Sequence, residues 1–200
     1  MIKIVNYGLG NIDAFLNIYK RLGIEAQMAN NRSELIEADK IVLPGVGAFD
    51  YAMKRLNESG MRETLDEMVL KKGVPVIGIC VGMQMMAKRS EEGVAEGLGW
   101  FDAEVHKFKD DSLLVPEMGW NSVEHNDNAI FEGLTDHPRF YFLHSYYFKC
   151  NNADDVIGTS DYGITFASAV NKGYIYGIQF HPEKSHSNGV KLLENFAKLK

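Results

Sequence analysis

Apolar and polar positions follow two rhythms along this chain, one in each half. In the first half, short apolar runs alternate with stretches in which apolar residues return every third or fourth position. Residues 2–6 read as a buried strand and Tyr7-Gly8-Leu9-Gly10 as a turn. Asn11 is placed to cap a helix running to about Leu22, with Gly23 as its stop. Ile12, Phe15, Leu16, Tyr19 and Leu22 make its core-facing stripe. Residues 24–29 predict a second strand, 33–38 a short helical piece, and 40–43 a third strand ending at Pro44. Helical patterns follow at 49–56 and 62–72, Gly73 closes the second, and 74–79 form the next strand. Strands alternating with helices predict βαβ units and a parallel, helix-covered sheet.

Past Gly99 the period drops to two. Strand patterns occur at 100–108, 113–115, 121–124, 141–149, 156–160, 165–170 and 174–180, separated by Gly, Asn and Asp turns. Asn171-Lys172-Gly173 signals a hairpin between two of these runs. A helix at 188–199 closes the chain, with Val190, Leu193, Phe196 and Ala197 near one face. The fold class expected is α/β: a mostly parallel, helix-flanked central sheet with an additional antiparallel β portion in the second half.

Composition narrows the setting. The 200 residues suit one domain spanning 1–200, with roughly 70% of the unfolded surface buried on folding. A net charge of -6 and the absence of a Lys/Arg-rich run argue against a nucleic-acid partner. No apolar stretch approaches the roughly 20 residues of a membrane span. The first residues lack a signal peptide's charged head, so a cytoplasmic setting is expected. Two cysteines, Cys80 and Cys150, exclude a disulfide scaffold and fit a reducing compartment. Cys150 lies in no motif and reads as structural.

Candidate chemistry centres on Gly78-Ile79-Cys80-Val81-Gly82, where the apolar run 74–79 meets a helix-forming segment at 83–88. That is the layout of a nucleophile elbow with cysteine in place of serine. Glycines permit so sharp a turn, and a helix start beside the sulfur favours thiolate. Free cysteines are more often small buried hydrophobes, so the assignment turns on partners. Of six histidines (His106, His125, His137, His144, His181 and His186), His181 stands out within Gln179-Phe180-His181-Pro182-Glu183. Pro182 holds its predecessor extended, and residues two apart in an extended segment point the same way. His181 can then act as base with Glu183 orienting it. Pro44-Gly45-Val46-Gly47 can aim backbone N–H groups at an oxyanion, with Val81 N–H as second donor, although an ordinary strand-to-helix turn reads the same way. Gly8-Leu9-Gly10-Asn11-Ile12-Asp13 has the layout of a dinucleotide fingerprint, but Asp13 occupies the third glycine position. No dinucleotide cofactor is expected.

Three segments in this order resemble class I (triad) glutamine amidotransferases, which are flavodoxin-like: Leu43-Pro44-Gly45-Val46-Gly47, Gly78-Ile79-Cys80-Val81-Gly82-Met83-Gln84 and Gln179-Phe180-His181-Pro182-Glu183-Lys184-Ser185. Asn6-Tyr7-Gly8-Leu9-Gly10-Asn11, Met118-Gly119-Trp120-Asn121 and Tyr141-Phe142-Leu143-His144-Ser145-Tyr146-Tyr147 are more narrowly similar to glutaminase subunits of imidazole glycerol phosphate synthases. The resemblance covers nearly the whole chain. It implies a glutaminase without metal or cofactor, in which Cys80 attacks the glutamine amide, His181 is base and acid, and Glu183 orients it. It further implies an oxyanion site at Val46, Gly47 and Val81, and a glutamine site at Gln84, His144, Ser145 and Tyr146. Ammonia would pass to a (β/α)8 cyclase partner docked over Asn11, Trp120, Asn121, Tyr141 and Lys184, giving imidazole glycerol phosphate and AICAR in histidine biosynthesis. The chain departs from the family at Glu117, where histidine is usual, at Asp13-Ala14, and at Val81, where leucine is usual. Two alternatives stand beside this one: a paralogous glutaminase serving amidation of a nucleotide sugar for surface polysaccharide, and a non-catalytic regulatory partner of a barrel protein.

Overall fold

The computed structural model describes residues 1–109 and 112–199. The apolar runs of the first half become parallel strands β1 (Ile2–Val5), β2 (Ala26–Ala29), β3 (Lys40–Gly45) and β4 (Val76–Cys80). β1 and β4 are buried along their whole length, as strands covered on both faces must be. Helices α1 (Ile12–Arg21), α2 (Arg32–Leu35), α3 (Phe49–Glu58) and α4 (Arg62–Asp66) lie between them. α1 buries Phe15, Ile18 and Tyr19, while Ile12, Leu16 and Leu22 are half-buried at the edge of its stripe. Asn11 stands at the N-cap but its side chain makes no capping bond.

α5 (Val81–Gln84) follows, and then strands β5 (Arg89–Ser90), β6 (Ala103–Lys107), β7 (Glu117–Ser122) and β8 (Glu124–His125). Next come β9 (Arg139–His144), β10 (Tyr146–Cys150), β11 (Val156–Asp161), β12 (Thr165–Lys172), β13 (Ile175–Ile178) and the closing helix α6 (His186–Lys198). Among the described residues the main sheet runs β2-β1-β3-β4-β13-β12-β10-β6-β5, with β11 on β12 and β8 on β11. From β2 to β13 all neighbours are parallel, and at β12 the direction reverses. β7 and β9 form a separate antiparallel pair. The mostly parallel sheet and its antiparallel extension are as expected.

Several boundaries differ for physical reasons. The run 141–149 is two strands in two sheets, broken at Ser145. Phe140, Phe142, His144 and Phe148 are all buried, so the alternation keeps its parity across the break and hides it. Residues 113–115 bend instead of forming a strand: Leu114 is 84% exposed, so no sheet face covers it. The helix expected at 83–88 begins earlier and stops at Gln84, because the carbonyls of Met85, Met86 and Ala87 accept N–H bonds from Leu98, Phe101 and Gly99. The helix at 62–72 is interrupted after Asp66 by a π-helical turn, Glu67–Lys71.

The start of α5 seats directly on the end of β3. A Cβ on Gly82 would lie 2.0 Å from the carbonyl oxygen of Leu43, and one on Gly78 would lie 2.7 Å from that of Gly82. Backbone blocks both sites, so neither can be cleared by a side-chain rotation. Gly82→Ala is expected to lower unfolding free energy by roughly 1–3 kcal/mol or more through overpacking. Urea denaturation checks this, and an unchanged midpoint would mean that the two backbones can part freely.

Candidate active site

Three neighbouring strands end at one level. Gly45 of β3 is paired with Cys80 of β4, and Ile79 with Ile178 of β13. The segments leaving these carboxyl ends therefore carry Val46-Gly47, Cys80-Val81 and His181 into a single cleft, the usual place for a site in an open parallel sheet. Cys80 sits at φ 55°, ψ -113°, a conformation that costs a non-glycine residue about 1–3 kcal/mol. The packed elbow described above holds it there.

His181 is fixed from both sides. Its backbone N–H donates to the Tyr141 carbonyl at 2.8 Å, and the Ser185 hydroxyl donates to the His181 carbonyl at 2.6 Å. Nδ1 donates to Glu183 Oε1 at 2.9 Å, within a pair almost wholly shielded from solvent, and the ring also hydrogen-bonds Cys80. Burial by itself pulls the imidazole pKa down. The hydrogen bonds to Cys80 and Glu183, and the charges of both, outweigh that and raise it from 6.5 to about 10. Gln179, from the end of β13, donates its side-chain N–H to Cys80 Sγ at 3.7 Å, while the thiol faces the Leu143 carbonyl at 3.8 Å. The sulfur thus has an acceptor for its proton and donors for its anion, which suits a thiol that must ionise and then attack.

The cleft is about 270 Å³. That falls just below the range of roughly 300–1,000 Å³ typical of larger ligands, a size for an amino acid rather than a nucleotide. Beside Cys80 and His181 it is lined by Val46, Gly47 and Val81, and by Gln84, His144, Ser145 and Tyr146, so every oxyanion and substrate residue expected from sequence converges here. Gln84 is nevertheless buried, with its amide N–H groups on Tyr146 O at 3.1 Å and on Gln179 Oε1 at 3.0 Å. Its amide braces the wall. The hydroxyl of buried Tyr7 donates to Pro44 O at 2.6 Å and anchors the Gly45-to-Gly47 turn from below.

Of the residues expected on a docking face, Trp120 and Tyr141 meet edge to face at 6.3 Å and Lys184 lies 5.7 Å over the Tyr141 ring. Lys184 also lines the cleft. Asn121 follows Trp120 on β7, and Asn11 precedes α1, which packs near the turn Pro182–Lys184. Met118 and Trp120 leave apolar surface outside, at 64% and 38% exposure. Glu117, by contrast, is 4% exposed and points inward. Sequence reasoning missed Gln179 and Glu92. The same two-apart rule that pairs His181 with Glu183 also reaches Gln179. Glu92, which lines the cleft and accepts the Phe49 N–H at 2.8 Å, has no local signal.

A parallel sheet that delivers a thiol, an imidazole and a carboxylate to one cleft defines a class of thiol-dependent acyl-transfer enzymes. Within that class the chain belongs to the class-I glutamine amidotransferases, whose family model matches residues 3–199. It is 53% identical to the imidazole glycerol phosphate synthase subunit HisH of Bdellovibrio bacteriovorus, with 100% of both chains covered. It is 50% identical to the subunit of the same name from Leptospira interrogans, again over 100% of both. A solved glutamine amidotransferase, 21% identical, shares the fold with a TM-score of 0.75 over 99% of both chains.

The raised pKa of His181 has a signed consequence for stability. A histidine whose pKa is raised on folding stabilises the native state fully below its unfolded value, and the effect disappears as pH climbs through the folded value. His181→Asn is therefore expected to cost most stability at or below pH 6.5, and progressively less toward pH 10. Chemical denaturation of both proteins across that range is the check, and a gap that widens with pH would reverse the assignment.

Proposed function

We propose that this chain is the glutaminase subunit of an imidazole glycerol phosphate synthase, acting in histidine biosynthesis. It would hydrolyse glutamine to glutamate and ammonia and deliver the ammonia to a (β/α)8 cyclase partner in the cytoplasm. On this reading the whole chain acts as one glutaminase domain. The observation that carries the chemistry is the shared level of three strand ends, which sets Cys80 on its strained elbow against His181 and Glu183. Full-length identity to subunits of that name supports the pathway.

On this reading the geometry supports a two-step acyl transfer. The Cys80 thiolate attacks the side-chain amide carbon of glutamine, and the carbonyl oxygen becomes an oxyanion held by N–H groups at Val46, Gly47 and Val81. Because Nδ1 of His181 is committed to Glu183, the proton on Nε2 goes to the leaving nitrogen. Ammonia departs and leaves a glutamyl thioester. His181, now neutral, takes a proton from water, which attacks the thioester and releases glutamate. Ser145, Tyr146 and His144 form the wall against which the amino acid lies, and the Glu92 carboxylate supplies the negative charge its α-ammonium needs. Ammonia protonates in water, so a partner seated over Trp120, Asn121, Tyr141, Lys184 and Asn11 is needed to receive it unprotonated. No helix in the described residues is long and apolar enough to cross a membrane.

Cys80→Ala is expected to reduce glutamine hydrolysis by roughly 10⁴-fold or more and leave partner binding intact. Glu183→Gln is expected to lower kcat by about 10²–10⁴-fold with a much smaller change in KM, since it disturbs only the imidazole. Substantial hydrolysis by Cys80→Ala would exclude that residue as nucleophile. For the pathway, the chain should restore growth of a histidine auxotroph lacking this subunit. Failure of growth with glutaminase activity intact would point to another ammonia acceptor, such as a nucleotide sugar.

A further inference from the structure

Glu117 and His144 face each other across the β7–β9 pair, at the same register position. Glu117 Oε2 and His144 Nε2 are 2.9 Å apart, their side chains 5% and 2% exposed, and neither atom makes a hydrogen bond of regular geometry to any group among the described residues, so this close contact is the one polar neighbour each has there. The other ring nitrogen, Nδ1, is 2.8 Å from the Tyr146 carbonyl, which can only accept, so Nδ1 carries a hydrogen. A neutral imidazole would then present a bare nitrogen to an ionised carboxylate. Phe108, Phe142 and Phe166 surround the ring at 5.3–5.6 Å, an apolar setting in which two opposed lone pairs are strongly unfavourable. A proton on His144 Nε2, facing the Glu117 carboxylate, removes that opposition.

A proton there closes a polar chain. Asn121 Nδ2 donates to Glu117 Oε1 at 2.8 Å, and Asn121 follows exposed Trp120 on the outer strand. On the other side, Tyr146 O receives both His144 Nδ1–H and Gln84 Nε2–H, and Gln84 in turn holds Gln179, whose amide reaches Cys80 Sγ. We infer that Glu117 is a positioning residue for the glutamine cleft: the proton it shares with His144 locks the Leu143-to-Tyr146 wall and ties it to the Asn121 surface. The inference rests on the reading of Cys80 as nucleophile only for its effect on activity. The shared proton stands by itself.

The direct test is a long-range proton–nitrogen NMR spectrum of the full chain, with His144→Asn used for assignment. Two ring nitrogens of protonated type at His144, replaced by one protonated and one bare nitrogen in Glu117→Gln, are expected when the carboxyl supplies an ionised imidazole partner. A wild-type ring with one bare nitrogen, as in Glu117→Gln, would overturn the shared proton. For function, the probe is the glutamine-mimicking diazoketone that alkylates active-site cysteines. Glu117→Leu, which strands His144 Nε2 and Asn121, should weaken its saturable binding roughly tenfold. The maximal labelling rate should change less, and Glu117→Gln should recover most of the loss. Unchanged saturation in Glu117→Leu, with its fold intact by circular dichroism, would overturn the positioning role. If Glu117→Leu does not fold, the wild-type and Glu117→Gln spectra still decide. Failure of the probe to label wild-type Cys80 would count against the glutaminase reading and leave the protonation state read from the spectrum unaffected.

Discussion

The structure depends on one backbone-to-backbone contact, where the first turn of α5 rests on the end of β3. Gly82 lies so close to Leu43 O that a single methyl group has no room. This contact lets Cys80 occupy φ 55° at the tip of β4 instead of relaxing into a continuous strand or helix. It also sets the Gly45-to-Gly47 turn beside the sulfur, because Gly45 and Cys80 are register partners. The proposed nucleophile and the turn that would cradle an oxyanion are thus two sides of the same packing event. The strain at Cys80 is small against the burial of β3 and β4 in the centre of the sheet, which explains why it persists.

Electrostatics completes what packing begins. Two buried histidine–carboxylate pairs flank the cleft, His181 with Glu183 and His144 with Glu117, each at 2.9 Å. The first pair aims a charged imidazole at the sulfur. The second sits behind the cleft wall and connects toward Cys80 through the Tyr146 carbonyl and the amides of Gln84 and Gln179. Carboxylates withdrawn from water in this way are costly unless each finds a hydrogen-bond donor, and here Asn121 donates to Glu117 and His181 to Glu183. The cleft is consequently built from groups whose orientations are fixed before any substrate arrives, the arrangement that electrostatic catalysis requires.

Much of this was legible in the chain itself. The elbow at Cys80 and the His181–Glu183 spacing depend on local rules, namely glycine at a tight turn, an extended residue before proline, and two-residue alternation. Local rules survive into the fold. What was not legible depends on pairing between distant segments. The single period-two run through His144 and Tyr146 gives no hint that the chain changes sheets at Ser145, because burial keeps the same parity on both sides. Glu92 joins the cleft from a loop with no motif. Glu117 was recognisable as unusual for the family, but its inward direction came from the β7–β9 register, which puts it opposite His144.

Acylation of Cys80 by the glutamine side chain is the step on which the proposed chemistry stands. Mass spectrometry of protein quenched in acid during glutamine turnover, in complex with the proposed cyclase partner, tests it most directly. A glutamyl adduct on the peptide containing Cys80, absent without glutamine and absent from the peptide containing Cys150, is the expected result. Steady glutamine hydrolysis with Cys80 unmodified under conditions that trap thioesters, or with the adduct on Cys150, would contradict it.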